Sequence, residues 1–155
     1  MSLSPERLDR FARHIVLPEI GGAGQIALAK KHLVLVGLGG IGSPALQYLA
    51  GAGIGKLTLV DDDRVDASNL QRQTLFNERD IGHGKAVIAK RWVTGFDPEL
   101  DVQISDRRIT LANAPDLVIG ADLVLDGTDN FATRLAVSDA CVAELTTLAA
   151  LPVCA

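Results

Sequence analysis

The residues best placed to do chemistry fall in three short stretches. Gly37-Leu38-Gly39-Gly40-Ile41-Gly42 fits the pattern G-x-G-x-x-G. It follows the apolar run His32–Val36 and opens a helix-like segment, the context in which glycines let the backbone turn tightly and approach a phosphate. The helix start behind it offers free N–H groups and a partial positive charge to an anion. The alternative is a tight strand-to-helix turn with no ligand. Asp61 closes the next strand at about the ~20-residue spacing at which an acid takes ribose hydroxyls. Asp62 reads as part of a solvated acidic turn, and Asp63 is open.

The second stretch is Asn69-Leu70-Gln71-Arg72-Gln73, and Lys85 follows it at a helix start. A dinucleotide already held by the glycine loop and Asp61 needs no further cations. A nucleoside triphosphate does, because charge grows on the β- and γ-phosphates as the α–β bond breaks. Each cation alone reads as an ordinary surface charge; after a phosphate loop the set reads as a polyphosphate site. The third stretch is Asp126-Gly127-Thr128-Asp129-Asn130. In an open parallel sheet, ligands sit beyond the carboxyl ends of the strands. Asp129 would face the crevice there, and a lone carboxylate beside phosphates suits Mg²⁺. Asn130 reads as the N-cap of the next helix.

Those residues need a frame. Strand-like and helix-like pieces alternate, which points to an α/β domain. The expected fold is Rossmann-like, a mostly parallel sheet with flanking helices that stops after about four strands, with residues 1–155 as a single ATP-binding domain. Strands are expected at 32–36, 56–60, 101–105 and 122–126. Helices are expected at 4–15, 23–31, 41–52, 83–96, 112–119 and from Phe131 to about Leu145. Gly21-Gly22 should break the chain. One face of the 41–52 helix carries Ile41, Ala45, Tyr48, Leu49 and Ala52; the inward face of 83–96 carries Ile88, Ala89, Trp92, Val93 and Phe96. Residues 62–82 read as a long excursion with one helical turn, and such a stretch in a compact domain is usually functional. Thr146 to Ala155 shows no clear period.

The chain has 155 residues, 48% of them apolar, and a net charge of −4. That charge argues against a general nucleic-acid binder. No run reaches the ~20 apolar residues of a membrane span. Cys141 and Cys154 form neither a disulfide framework nor paired C-x-x-C zinc motifs, so no zinc site and a reducing cytoplasm are expected. Cys141 reads as a core thiol beside Val137 and Leu145. His14, His32 and His83 share no metal-ligand spacing.

Taken in order, Arg10-Phe11-Ala12-Arg13-His14-Ile15, the glycine loop, Asn69-Leu70-Gln71-Arg72-Gln73, Gly82-x-x-Lys85 and Asp126-Gly127-Thr128-Asp129-Asn130 resemble the E1-like activating enzymes. The likeness is greatest to ThiF/MoeB-type adenylyltransferases and runs from about Arg7 to about Val142. The resemblance implies binding of ATP and Mg²⁺ and adenylation of the C-terminal glycine of a ubiquitin-like sulfur-carrier protein, with release of pyrophosphate, in thiamine or molybdopterin synthesis. It implies that Gly37, Gly39, Gly40, Gly42, Asp61, Asp63, Asn69 and Gln73 bind the nucleotide. Arg13, Arg72, Lys85 and Asp129 would be catalytic, Asp129 holding Mg²⁺. Arg13 would reach into the partner's site of a homodimer. The family's further strands, which hold the carrier's tail, and its zinc pairs are not in the sequence, so weak ATP binding and poor adenylation are expected. Two other readings share the fold: a fragment of an NAD-dependent oxidoreductase, which leaves Arg72, Lys85 and Asp129 unused, and a non-catalytic dimerisation module.

Overall fold

A computed structural model describes residues 3–151. Five parallel strands form one sheet: β1 (His32–Val36), β2 (Lys56–Val60), β3 (Asp101–Ser105), β4 (Leu123–Asp126) and β5 (Thr147–Ala150), in the spatial order β3-β2-β1-β4-β5. The helices are α1 (Pro5–Arg10), α2 (Ala12–Ile15), α3 (Gly21–Leu28), α4 (Gly42–Ala52), α5 (Lys85–Phe96), α6 (Ala114–Val118) and α7 (Phe131–Ala143). The chain leaves β1 toward β2 on one side and returns to β4 on the other. The strand order therefore switches beside the end of β1, where open α/β sheets place their ligands.

β1 and β2 read as near-continuous apolar runs because helices cover both faces of the sheet. Alternate residues feed opposite cores. Leu33, Leu35, Leu57 and Leu59 pack with Leu46 and Ala50 of α4 and with Ala89 and Val93 of α5. Val34, Val36, Val60 and Val124 pack with Ala114 and Val118 of α6 and with Val137 and Cys141 of α7. Register is pinned on both sides of β1, Leu35 pairing with Leu59 and with Leu125. A one-residue slip would exchange the two cores.

The sheet extends one strand past the expected four. β5 pairs parallel with β4, Leu148 opposite Val124. Its Thr-Leu-Ala-Ala sequence is short and lies at the sheet edge, so it carries no apolar alternation. α7 ends before it, and Leu145, expected beside Cys141, instead turns out to solvent at φ 53°.

Other expectations also shift. Residues 4–15 divide at Phe11, whose ring is buried over Gly53; a Cβ at Gly53 would lie 2.5 Å from it. Gly21, at φ 57°, opens α3 and does not break the chain. α4 buries Ser43, Leu46 and Ala50, which lie nearly opposite the expected face, and Tyr48 is exposed. In α5, Ile88, Ala89 and Val93 are buried as expected, but Phe96 is exposed. There it stacks on Trp92 at 5.1 Å and lies under the Arg10 guanidinium at 4.8 Å. Arg7 fastens α1 to the end of α5 with two bonds, 2.8 and 2.7 Å, to the buried Asp97 carboxylate. The excursion 62–82 holds two single 3-10 turns, Ala67–Asn69 and Glu78–Asp80.

Candidate functional site

A cleft of about 740 Å³ opens beyond the carboxyl ends of the strands. Gly37, Gly39, Gly40, Asp61, Asp63, Asn69, Arg72, Gln73, Lys85 and Asp129 all line it. Arg13 and Gly42 do not. Arg13 is exposed on α2, and Gly42 sits behind the loop, against the Gly37 carbonyl.

The glycine loop is built on contacts that forbid side chains. Gly37 takes φ 82°, and a Cβ there would meet Thr128 Cγ2 at 3.0 Å and the Gly127 carbonyl at 3.1 Å. A Cβ on Gly42 would fall 1.8 Å from the Gly37 oxygen. Ser43 Oγ donates to the carbonyls of Leu38 (2.6 Å) and Gly39 (2.7 Å), tying the loop to the first turn of α4. No side chain among the described residues caps that turn; the Ser43 N–H is taken by the Gly39 carbonyl at 3.0 Å and Pro44 has none, so the start of α4 offers an anion chiefly its helix dipole.

Asp61 has a second task that the sequence does not reveal. One of its oxygens accepts the Leu38 N–H at 2.6 Å and the other the Asp63 N–H at 2.9 Å, so it laces the glycine loop to the end of β2. Burial pushes its carboxyl above the ordinary value; the two N–H bonds and the Lys85 charge oppose that shift without cancelling it.

The polar excursion folds back over the loop. Arg72 and Gln73 donate their N–H groups to the Asn69 carbonyl at 3.1 and 2.9 Å. That tight turn lays Arg72 Cδ 3.5 Å from the position of a Cβ on Gly40, and Gln73 Nε2 3.7 Å from one on Gly39. Gln73 is 3% exposed, and its Oε1 has no hydrogen-bond partner among the described residues. Gln73 lines the cleft, and an unpaired buried acceptor beside it is a place that an ordered water or a ligand donor would satisfy. Lys85, at the start of α5, is 5% exposed. Its N–H donates to the Asp63 carbonyl at 2.9 Å, and its Nζ reaches Asp63 Oδ2 at 3.1 Å.

On the other wall, Asn130 Oδ1 accepts the Thr133 N–H at 3.0 Å and caps α7, which leaves Asp129 exposed in the cleft. Sequence reasoning missed the part played by Asp126. It is buried at the end of β4, and its Oδ1 accepts from the Thr128 N–H (2.9 Å) and Oγ1 (2.7 Å). Arg134 Nε lies 3.5 Å from its Oδ2. Asp126 therefore shapes the turn that presents Asp129. Arg64, Asp66, Arg107, Arg108 and Ile109 also line the cleft and were not anticipated.

Chemically, the cleft sets arginines and a lysine beside a glycine loop, with carboxylates on both walls. A model of the ThiF family matches residues 11–150. The SAMP-activating enzyme E1 of Haloferax volcanii is 44% identical over 141 residues, which is 91% of this chain and 52% of that protein. The sulfur carrier protein ThiS adenylyltransferase of Escherichia coli is 45% identical over 139 residues, 90% of this chain and 55% of the relative. Among solved structures, E. coli tRNA N6-threonylcarbamoyladenosine dehydratase, TcdA, in complex with ATP superposes with a TM-score of 0.90 at 28% identity, covering 97% of this chain and 61% of that one. The chain spans about half the length of these two curated relatives.

Proposed function

The chain belongs to the ThiF family, and on that premise we propose that its cleft binds ATP with Mg²⁺ and activates the C-terminal glycine carboxylate of a ubiquitin-like sulfur-carrier protein by adenylation. The carboxylate oxygen attacks the α-phosphorus. A new O–P bond forms as the α–β bridge breaks, and the electron pair leaves with pyrophosphate. The nucleophile is already ionised, so no general base is required, and positioning and charge neutralisation supply the acceleration.

The observation that carries this reading is the convergence over Gly39 and Gly40. Arg72 and Gln73 lie against those two glycines, with Lys85 and Asp129 in the same cleft. The glycine loop and the α4 start would take phosphate, Asp61 the ribose, and Asn69, Arg72 and Lys85 the outer phosphates. Among the described residues no group of three or more His, Cys, Asp or Glu could hold a metal. Asp129 therefore suits an ion that shares its coordination with phosphate oxygens. Bound there, Mg²⁺ would add positive charge beside the leaving group. The protein with the closely superposing fold was solved with ATP, and the ThiS relative is named for adenylating a sulfur carrier.

Arg13 supports a homodimer with shared sites. It is exposed, lies outside its own cleft and has no ion-pair partner among the described residues. No described helix is long and apolar enough to cross a membrane, and a cytoplasmic enzyme of sulfur-carrier activation fits that. ATP–pyrophosphate exchange, measured with a sulfur-carrier protein, tests the proposal. Exchange should require the carrier and fall at least tenfold in Arg72→Ala and Asp129→Ala; carrier-independent turnover, or full activity in both variants, would refute it.

A further inference from the structure

The cleft has a second end that the polyphosphate does not occupy. Phosphate belongs over the end of β1 and ribose at Asp61 over the end of β2, so the nucleobase must extend toward β3, the next strand in the sheet. Val60, Asp62, Arg107, Arg108 and Ile109 line the cleft on that side. None of its described lining residues is aromatic, so a base finds no ring to stack on.

What it finds is an arginine with a fixed backbone and an acid near its guanidinium. The Arg108 carbonyl accepts the Asn113 Nδ2–H at 3.0 Å, and Asn113 Oδ1 accepts the Thr110 N–H at 2.8 Å. The next residue, Ile109, is buried in the core beside Ala114 and Val118. The backbone at 108 is therefore fixed. The guanidinium lies 3.9 Å from the Asp62 carboxylate, with the two side chains 65% and 41% exposed. An ion pair this open adds little to stability. It leaves a planar cation lining the crevice and free to lie against a ligand, and guanidinium planes stack well on aromatic faces.

Resting on the ATP reading above, we propose that Arg108, steered by Asp62, covers the outer face of the nucleobase while Ile109 and Val60 meet its inner side. The wider ring system of a purine would gain more from this plane than a pyrimidine, so Arg108 sets base preference for the nucleotide. The proposal assigns it no contact with the phosphates.

Calorimetric titration of the wild type, Arg108→Ala and Arg108→Lys with ATP, CTP and inorganic tripolyphosphate tests it. The wild type should prefer ATP to CTP. Arg108→Ala should weaken ATP by roughly 2- to 30-fold, the range of a cation–aromatic contact from exposed to desolvated, and compress the ATP/CTP ratio. Tripolyphosphate should bind both proteins alike, which also shows that the variant is folded. Arg108→Lys keeps the charge but loses the plane, so it should resemble the alanine variant. Equal weakening of ATP and tripolyphosphate would make Arg108 a phosphate ligand and overturn the proposal, as would unchanged ATP affinity in Arg108→Ala. A wild type that binds tripolyphosphate but not ATP would overturn the ATP reading and this inference together; a wild type that prefers ATP to CTP beside an Arg108→Ala protein that keeps the same preference would overturn only the inference.

Discussion

Replacing Lys85 by Met separates a ligand role from a structural one, because the two predict opposite signs for stability. The ammonium is almost wholly buried; the carboxylate it pairs with, Asp63, has a side chain 70% exposed, and Asp61 feels its charge from beyond pairing distance. Solvent screens that pair. Lys85 also begins α5, where the helix dipole disfavours a cation. A buried charge so poorly compensated is held at a cost, and a neutral side chain of similar length should leave the unfolding free energy unchanged or raise it by about 1 kcal/mol. The same change removes a desolvated partner for the outer phosphates. Losing such a contact costs about 2–5 kcal/mol, or roughly 30- to 5,000-fold in affinity. Urea denaturation read by Trp92 fluorescence gives the first quantity, and calorimetry with ATP gives the second. AMP, which lacks those phosphates, should lose far less. A Lys85→Met protein destabilised by more than about 2 kcal/mol that still binds ATP as tightly as the wild type would show that Lys85 is an anchor of the fold and that the reasoning is wrong.

Gly42→Ala should abolish nucleotide binding and cost about 1–3 kcal/mol of stability, because its Cβ would meet backbone at 1.8 Å and the loop would have to open. Gly51→Ala, on the same helix with nothing within 4 Å, is the control and should stabilise by up to about 1 kcal/mol; equal behaviour of the two in a thermal melt with and without ATP would contradict this account of the loop. Asp61 bears on pH. Its carboxyl is raised in the fold above 3.8 by burial, so the native state holds its proton more tightly than the unfolded chain does. That contribution is fully present below pH 3.8 and is lost as pH rises through the folded value. The difference in unfolding free energy between the wild type and Asp61→Asn should decline as pH rises through that window, whatever the other carboxylates add to both; parallel profiles would argue against it.

Much of this site was legible because its chemistry is local in sequence. Glycines at set spacing, an acid ending the next strand and the Asn69–Gln73 segment each carry their own signal, and the parallel sheet brings strand ends together wherever the order switches. Asp126 was not legible as a shaping residue because its role depends on Arg134, a turn of helix away, and on the Thr128 hydroxyl. Arg108 escaped notice because its partner Asp62 lies on another strand's loop. The fold was misjudged where burial is decided by tertiary neighbours. Tyr48 shares a helical face with Leu49 by spacing, yet the sheet takes Leu46 and Ala50. β5 was missed because an edge strand of Thr, Leu and two alanines needs only β4's free edge to form, and periodicity does not record that.

The central claim is that Arg72, Lys85 and Asp129 surround a triphosphate held over Gly39 and Gly40. Competition between ATP–Mg²⁺ and NAD⁺ for the wild-type cleft, read by calorimetry, tests it most directly. ATP–Mg²⁺ should bind and displace NAD⁺, and Arg72→Ala should erase that preference. Tighter binding of NAD⁺, unaffected by Arg72→Ala, would contradict it.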